Sequence, residues 1–366
     1  MNACQNRFLM GACGGKSVLD SETLAAHQKT DKIINEGTTA KKERDVTVKK
    51  ILLLGAGESG KSTFFKQLTC LYGEGFQEEE KKFYKNVVYD NVIGSMQLLG
   101  KFAQEHKECQ VNAEVIKSLD FVMALDAAAK VTPEIARHVA VLWKDPGIQE
   151  AWNHRNEFQI LESAPHFFAK VEEIGKISYV PDDQDILMAR LRTTGVISAK
   201  FSMGGLTFNL VDVGGQRNER KRWIHQFENV STVIFIAASS EYDQTLFEDN
   251  TVNRIQEALN LWEETLALSW FKKSAVILFL NKTDLFAEKI KTSPISKHFP
   301  EYTGGDNLDA GKQFFENLFR SKCVTRKDVF VHFTCVTNRD NVETVFNDIK
   351  QTMLRDSLAD AGLQTS

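Results

Sequence analysis

The chain has 366 residues, 42% of them hydrophobic, and a net charge of −4. That length exceeds what one compact domain usually holds, and the charge gives no global pull toward nucleic acid. No stretch has the length of a membrane-spanning helix, and the amino terminus lacks a signal peptide's apolar core. The six cysteines contain no C-x-x-C and the eight histidines no H-E-x-x-H, so reduced thiols in the cytosol are favoured and a zinc site is disfavoured.

Residues 1–48 are polar, with a helical patch near Ser21–Glu36 that stops at Gly37. Lys41, Lys42, Arg44, Lys49 and Lys50 make the approach to the first strand basic: either a solvated face, or a surface for anionic lipid or an acidic partner. The apolar run Ile51-Leu52-Leu53-Leu54 then reads as a buried strand. It breaks into Gly55-Ala56-Gly57-Glu58-Ser59-Gly60-Lys61-Ser62-Thr63, and a helix-forming segment follows from Lys61. Gly, four residues, Gly-Lys-Ser is the phosphate-binding loop. Its glycines let backbone N–H groups curl inward toward phosphate oxygens, and the helix dipole adds positive charge at the same point. In that pattern Lys61 reaches the β/γ-phosphates and the Ser62 hydroxyl ligates Mg²⁺. The chain is therefore expected to bind a nucleotide.

From Gly75 to about Asp185 no strand is expected. Tyr84, Val88, Val92, Met96 and Leu99 recur at three or four residues, as do Ile116, Leu119, Val122 and Met123. Thr132-Pro133-Glu134 reads as an N-cap with proline at the first helical position. Residues 75–185 thus form an all-helical insert. Strands are expected at Ile197–Met203 and Leu206–Asp212, joined through Gly204-Gly205 as a hairpin, and again at Val233–Ala238, Ala275–Leu280 and Val329–Thr334. Helix-length segments separate the later strands, and Val342, Val345, Phe346, Ile349 and Met353 mark a last helix near Asn341–Ser357. This alternation predicts an α/β fold, a mostly parallel sheet with helices on both faces, interrupted once by the insert.

Four further motifs carry chemistry. Asp212-Val213-Gly214-Gly215-Gln216 follows an apolar strand: Asp212 can hold the magnesium shell as a Walker-B aspartate does, and the Gly215 N–H can approach a γ-phosphate. Gln216 has the donor and acceptor needed to position an attacking water. Asn281-Lys282-Thr283-Asp284 ends a strand, and the Asp284 carboxylate can accept both N1–H and the 2-amino group of guanine, which adenine does not offer. Thr334-Cys335-Val336-Thr337 could meet the base with backbone amides. Arg190-Leu191-Arg192-Thr193-Thr194-Gly195 is either an exposed basic linker or a functional segment, with Thr193 as the second protein ligand to Mg²⁺ and Arg190 placing positive charge on the loosening phosphoryl group.

In this order, the phosphate loop, Arg-x-x-Thr, Asp-x-Gly-Gly-Gln, Asn-Lys-x-Asp and Thr-Cys-x-Thr resemble the α subunit of heterotrimeric G proteins. Val213–Trp223, Phe279–Leu285 and the insert placed just before Arg190 are similar as well, so the resemblance covers about Lys49 to Gly362. An insert and a built-in arginine separate that family from small Ras-like GTPases. The resemblance implies a Ras-like P-loop GTPase domain with a six-stranded sheet (49–74 and 186–366), an inserted helical domain (75–185) and an amino-terminal segment (1–48) for βγ and membrane contact. It implies a nucleotide site of Gly55, Gly57, Glu58, Ser59, Gly60, Lys61, Ser62, Thr63, Ser163, Leu187, Arg190, Thr193, Asp212, Gly215, Asn281, Lys282, Asp284, Cys335 and Val336. Within it, Arg190 and Gln216 would catalyse GTP hydrolysis, Ser62 and Thr193 would ligate Mg²⁺, Glu58 would pair with Arg190, and Ser163 would clamp the guanine side.

The implied cycle has GDP-bound protein paired with a βγ dimer through the amino-terminal helix and the segment around Arg217–Phe227. A seven-helix receptor would then pull on the last helix to release GDP, and effectors and GTPase-accelerating proteins would follow. GTP would order Arg190–Gly195 and Gly214–Trp223. The sequence departs from the family at Glu162, usually aspartate, at Val336, usually alanine, and at its end, where Ala361 replaces the cysteine some subclasses carry and three residues follow Leu363. Pertussis-toxin modification is therefore not expected. Met10-Gly11-Ala12-Cys13 looks like a family start preceded by nine residues, so Gly11 cannot be myristoylated if Met1 initiates; palmitoylation of Cys13, with Cys4 as second candidate, is expected to anchor the chain at the cytoplasmic face of the plasma membrane. Two other readings compete: a guanine-nucleotide-dependent scaffold with negligible turnover, against which Arg190, Thr193 and Gln216 argue, and a P-loop kinase or ATPase, against which Asp284 argues.

Overall fold

Strand β1 (Val48–Leu54) is buried from Ile51 onward. Its period of two sends Ile51 and Leu53 into one core and Leu52 and Leu54 into another, as a strand covered on both faces requires. The computed structural model that shows this describes residues 48–126, 128–203, 205–324 and 328–360, with the side chains of 352 and 354–360 left aside. The expectations for the amino-terminal segment, Cys4, Cys13 and the tail from Ala361 lie outside the described residues.

After the phosphate loop, α1 (Lys61–Tyr72) runs until Gly73, whose N–H returns to the Thr69 carbonyl at 2.9 Å. Seven helices follow: α2 (Glu78–Glu105), α3 (Ile116–Met123), α4 (Pro133–Trp143), α5 (Pro146–Asn153), α6 (Ala164–Ala169), α7 (Val171–Ile174) and α8 (Asp183–Met188). The apolar stripe Val88, Val92, Met96 and Leu99 of α2 is fully buried and organises a third core made only of this helical stretch. Local chemistry fixes the helix starts. Thr132 Oγ1 accepts the Ile135 N–H ahead of Pro133, and Asp145 accepts the Gly147 N–H at 2.9 Å ahead of Pro146.

The chain returns to the sheet through β2 (Val196–Met203) and β3 (Leu206–Val213), an antiparallel hairpin turning at Gly205 with φ +80°. Then come β4 (Thr232–Ala238), α9 (Arg254–Ala267), β5 (Ala275–Asn281), α10 (Thr283–Lys289), α11 (Leu308–Ser321), β6 (Val329–Phe333) and α12 (Arg339–Asp360). The strand order is β2-β3-β1-β4-β5-β6, with every pairing parallel except β2 with β3. The Leu52 face packs on Trp262 of α9 and Phe315 and Phe319 of α11, and the Ile51 face on Phe64 of α1 and Phe346 of α12.

Because β1, β3, β4, β5 and β6 are parallel, their carboxyl ends share one edge. The chain passes from β1 to β2 and β3 on one side and then crosses from β3 to β4 on the other, and ligands of doubly wound sheets bind at such a switch point. The expected strands β2 to β6 differ from the observed ones by one residue at their ends, whereas β1 begins at Val48, three residues before the apolar run that marked it. Thr334, for instance, falls just outside β6 although its N–H still reaches the Leu280 carbonyl at 3.0 Å.

Candidate functional site

The phosphate loop is shaped by three residues in the left-handed region: Gly55 at φ +140°, Glu58 at +67° and Gly60 at +105°. Two of these glycines also face neighbours that exclude a side chain. A Cβ on Gly55 would lie 2.2 Å from the Ile236 carbonyl oxygen, and one on Gly60 would lie 2.2 Å from Asn281 Nδ2. Asn281, fully buried at the end of β5, explains the second contact. Its Nδ2 donates to the Ser59 carbonyl at 2.9 Å, while its Oδ1 accepts from Thr334 Oγ1 at 3.1 Å and the Val336 N–H at 3.2 Å. One side chain thus ties the phosphate loop to both base-side loops. Asp284 lies in the first turn of α10 and, with Cys335 and Val336, walls the same cavity. Burial first, and then the Asp284 carboxylate, push the Cys335 thiol up.

Lys61 is buried and donates to the Gly55 and Ala56 carbonyls at 2.9 and 2.6 Å. Burial lowers its pKa to about 8, against the opposing pull of Asp212. The Ser62 hydroxyl sits between Thr193 Oγ1 at 2.6 Å and Asp212 Oδ2 at 2.6 Å. Asp212 is wholly buried; burial raises its pKa, opposed chiefly by Lys61, and its Oδ1 has no hydrogen-bond partner. An orphaned carboxylate oxygen beside two hydroxyls is a hard-oxygen set that suits Mg²⁺. No group of three or more His, Cys, Asp or Glu among the described residues could hold a metal, so a cation here would depend on these hydroxyls and on phosphate oxygens.

Arg190 comes from the segment after α8. The side chain of Asn91, on α2, accepts its backbone N–H at 2.7 Å and donates to its carbonyl at 3.1 Å, and its guanidinium pairs with Glu58 at 2.8 Å. Lys66, one turn into α1, steadies the same segment by donating to the Ile186 and Ala189 carbonyls, both at 2.9 Å. Opposite, Gly215 passes so close to the loop that a Cβ would meet Lys61 Nζ at 2.2 Å and the Ala56 carbonyl oxygen at 2.6 Å. Gln216 is buried next to Gly57 with its Oε1 unpartnered. The two segments are joined directly: the Gly214 N–H donates to the Gly195 carbonyl, and the Gly195 N–H to Glu219 at 3.1 Å. Arg217 and Arg220 anchor the second segment to Glu257 of α9, each with a bond of 2.7 Å.

The helical stretch closes the cavity by charge. Lys282 Nζ lies 2.6 Å from both Glu162 and Glu241, and Lys289 pairs with Asp243 at 2.8 Å. Arg254, almost fully buried, pairs with Glu58 at 2.8 Å and Glu241 at 3.3 Å and donates to Gln159. Burial alone would raise Glu162, but Lys282 and Lys289 hold its carboxyl down at about 2. Burial also works against ionised Glu58, yet Arg190 and Arg254 keep it low.

Gly57, Glu58, Gly60, Lys61, Ser62, Thr63, Ser163, Leu187, Arg190, Thr193, Gly215, Gln216, Asn281, Lys282, Asp284, Cys335 and Val336 all line this one cavity. Gly55, Ser59 and Asp212 lie behind its surface, where they shape the loop and hold Ser62. Gln159, Glu241, Arg254, Lys289, Asn91, Lys66 and His166 were not legible from the sequence. Each stands outside any motif, and only the packing of distant segments brings it to the site.

A phosphate loop at the β1 switch point, a carboxylate suited to guanine at the end of β5 and an internal arginine define a guanine-nucleotide switch of the P-loop class, with a helical stretch over its Ras-like sheet. The chain belongs to the G-protein alpha subunit family: the model of that family matches residues 25–353. It is 38% identical over 349 residues to the G-protein complex alpha subunit gpaA of Aspergillus fumigatus and to a guanine nucleotide-binding protein subunit alpha of Emericella nidulans, covering 93% of this chain and 99% of each relative. It is 42% identical over 320 residues to the guanine nucleotide-binding protein alpha-3 subunit of Ustilago hordei, covering 86% of this chain and 90% of that one. The protein is therefore a guanine-nucleotide-binding signal transducer and a GTPase.

Proposed function

We propose that this cavity hydrolyses GTP with Arg190 and Gln216 as its catalytic residues and Mg²⁺ as its cation. The observation that carries this reading is the convergence on one phosphate loop of Lys61, the Ser62–Thr193–Asp212 set, the Glu58-held Arg190 and Gln216 with its unpartnered Oε1. Lys61 and the loop amides hold the β- and γ-phosphates. Gln216 orients the attacking water, since its amide offers an acceptor for a water proton and a donor beside it. The water oxygen bonds to the γ-phosphorus as the bond to the bridging oxygen breaks, GDP leaves with that electron pair, and one proton of the water passes to an oxygen of the transferred phosphate. Arg190 neutralises the charge that develops on the transferring group. G-protein α subunits are themselves the usual example of an arginine acting in cis, so the factor of about 10³–10⁵ belongs to that known case and is not a result of this geometry. Mg²⁺, held by Ser62 and Thr193 with Asp212 behind them, supplies positive charge to the phosphate oxygens when bound.

The test is single-turnover hydrolysis of γ-labelled GTP. Gln216→Leu and Arg190→Cys are each expected to retain GTP binding and lose most of the hydrolysis rate. Wild-type rates in both would end the assignment.

As a family member the chain engages βγ, receptor and effector partners. We further propose that βγ docks on the amino-terminal segment and Arg217–Phe227, where Ile224 is exposed, and that a receptor acts through α12. Palmitoylation of Cys13, with Cys4 as second candidate, places the protein at the cytoplasmic face of the plasma membrane with a cytosolic fraction. Support for the anchor is the Met10-Gly11-Ala12-Cys13 sequence, and intact-mass measurement of native protein decides it: free thiols on an unmodified amino terminus remove the anchor.

A further inference from the structure

His166 lines the nucleotide cavity one helical turn beyond Ser163, yet no motif contains it. Its Nε2 lies 2.9 Å from Asp185 Oδ1, and Asp185 is wholly buried. The other carboxylate oxygen of Asp185 accepts from Lys170 Nζ and Tyr179 OH, both at 2.9 Å, and from the Asp182 N–H at 3.3 Å. Burial would raise this carboxyl, but the hydrogen bonds from His166, Lys170 and Tyr179 hold it at about 2, so it is ionised and only accepts. The proton on the imidazole is therefore fixed at Nε2. In the neutral ring Nδ1 is left as a bare acceptor, and it has no protein partner among the described residues.

A guanine nucleotide offers few donors to such an acceptor. Phosphate oxygens accept only. The base N1–H and 2-amino group suit the Asp284 carboxylate, which lines the cavity beside Cys335 and Val336. That leaves the sugar hydroxyls. We propose that His166 reads the ribose of the bound nucleotide, its Nδ1 accepting a hydrogen bond from a sugar hydroxyl while Asp185 fixes the ring's tautomer and orientation. The role is one of ligand discrimination, resting on guanine-nucleotide binding in this cavity, and it makes the helical stretch a sensor of the sugar as well as a cover. It also joins the wall carrying Ser163 to the one carrying Leu187 and Arg190, because His166 lies on α6 and Asp185 on α8.

The experiment is competition binding of GDP, 2′-deoxy-GDP and 3′-deoxy-GDP to the full chain and to its His166→Phe variant. The wild type should bind one of the deoxy analogues about three- to tenfold more weakly than GDP, the scale of one neutral hydrogen bond. His166→Phe should lose that same factor for GDP and bind the discriminating analogue as wild type does. Equal wild-type affinity for all three nucleotides overturns the proposal without any variant. So does a variant that weakens all three by one common factor, which is what a purely structural role for His166 would produce. Discrimination that persists unchanged in His166→Phe assigns the hydroxyl to another group and overturns it too. Failure of GDP itself to bind the wild-type chain would instead strike the nucleotide assignment on which the inference stands.

Discussion

Replacing Glu162 by glutamine keeps the size of the side chain and removes the charge that links the helical stretch to the base loop. Glu162 is 16% exposed and Lys282 20%, so the pair is neither a surface ion pair, worth about 0–1 kcal/mol, nor a fully buried one, whose breakage costs about 3–5 kcal/mol. Neither lysine is stranded by the change. Lys282 keeps Glu241 at 2.6 Å and Lys289 keeps Asp243 at 2.8 Å. The expected loss is therefore about 1–2 kcal/mol of cavity closure, or a rise in GDP release of about 5- to 30-fold. Single-turnover hydrolysis should stay close to wild type, because the Arg190–Glu58 pair is untouched. The assay is dissociation of a fluorescent GDP, run beside a hydrolysis assay on the same protein. The sign of the pH dependence is also fixed. The carboxyl of Glu162 is depressed from 4.5 to about 2 in the fold, so its contribution is complete above pH 4.5 and disappears as pH falls from there toward 2. Release should thus be faster in Glu162→Gln by the same factor throughout pH 6–8. Release within twofold of wild type, or hydrolysis falling in step with it, would refute the reasoning.

Lys61 has a pKa of about 8 in the protein, and bound phosphates would raise it, so GTP affinity should be flat below pH 8 and fall by up to tenfold per pH unit above it. Calorimetry at pH 9 in two buffers of different ionisation enthalpy should then show proton uptake on binding, and an affinity unchanged from pH 7 to 9 would contradict this. Gly60→Ala should cripple nucleotide binding, since a Cβ would press on Asn281 Nδ2 at 2.2 Å and φ is +105°; equilibrium dialysis with GDP tests it, and near-native affinity would show that the strut can move. Lys66→Met should cost about 1–3 kcal/mol in chemical denaturation, because the Ile186 and Ala189 carbonyls lose their shared donor, and an unchanged midpoint would remove Lys66 from the account of how the Arg190 segment is held.

Much of this architecture is written locally. Ile51–Leu54 followed by the glycine-rich loop could only be a buried strand feeding a helix, because glycine alone tolerates the backbone at positions 55 and 60. The α2 stripe shows its helix by period, and Thr132-Pro133 shows its start by capping chemistry. Those signals act between neighbours in the chain, so the sequence by itself determined the strands, the phosphate loop, the place of Asp284 at the end of β5 and the family. Tertiary structure decided what crosses the cavity. Asn91 holds the Arg190 backbone from 99 positions away, and Arg254 reaches Glu58 across 196. Glu162 shares Lys282 with Glu241, and His166 meets Asp185 from another helix. Such contacts have no period or spacing, since loop closure lets any two surface segments meet at a cost that grows only slowly with their separation. Only the packed fold selects which polar groups lie within 3 Å and, by burying them, sets their charge.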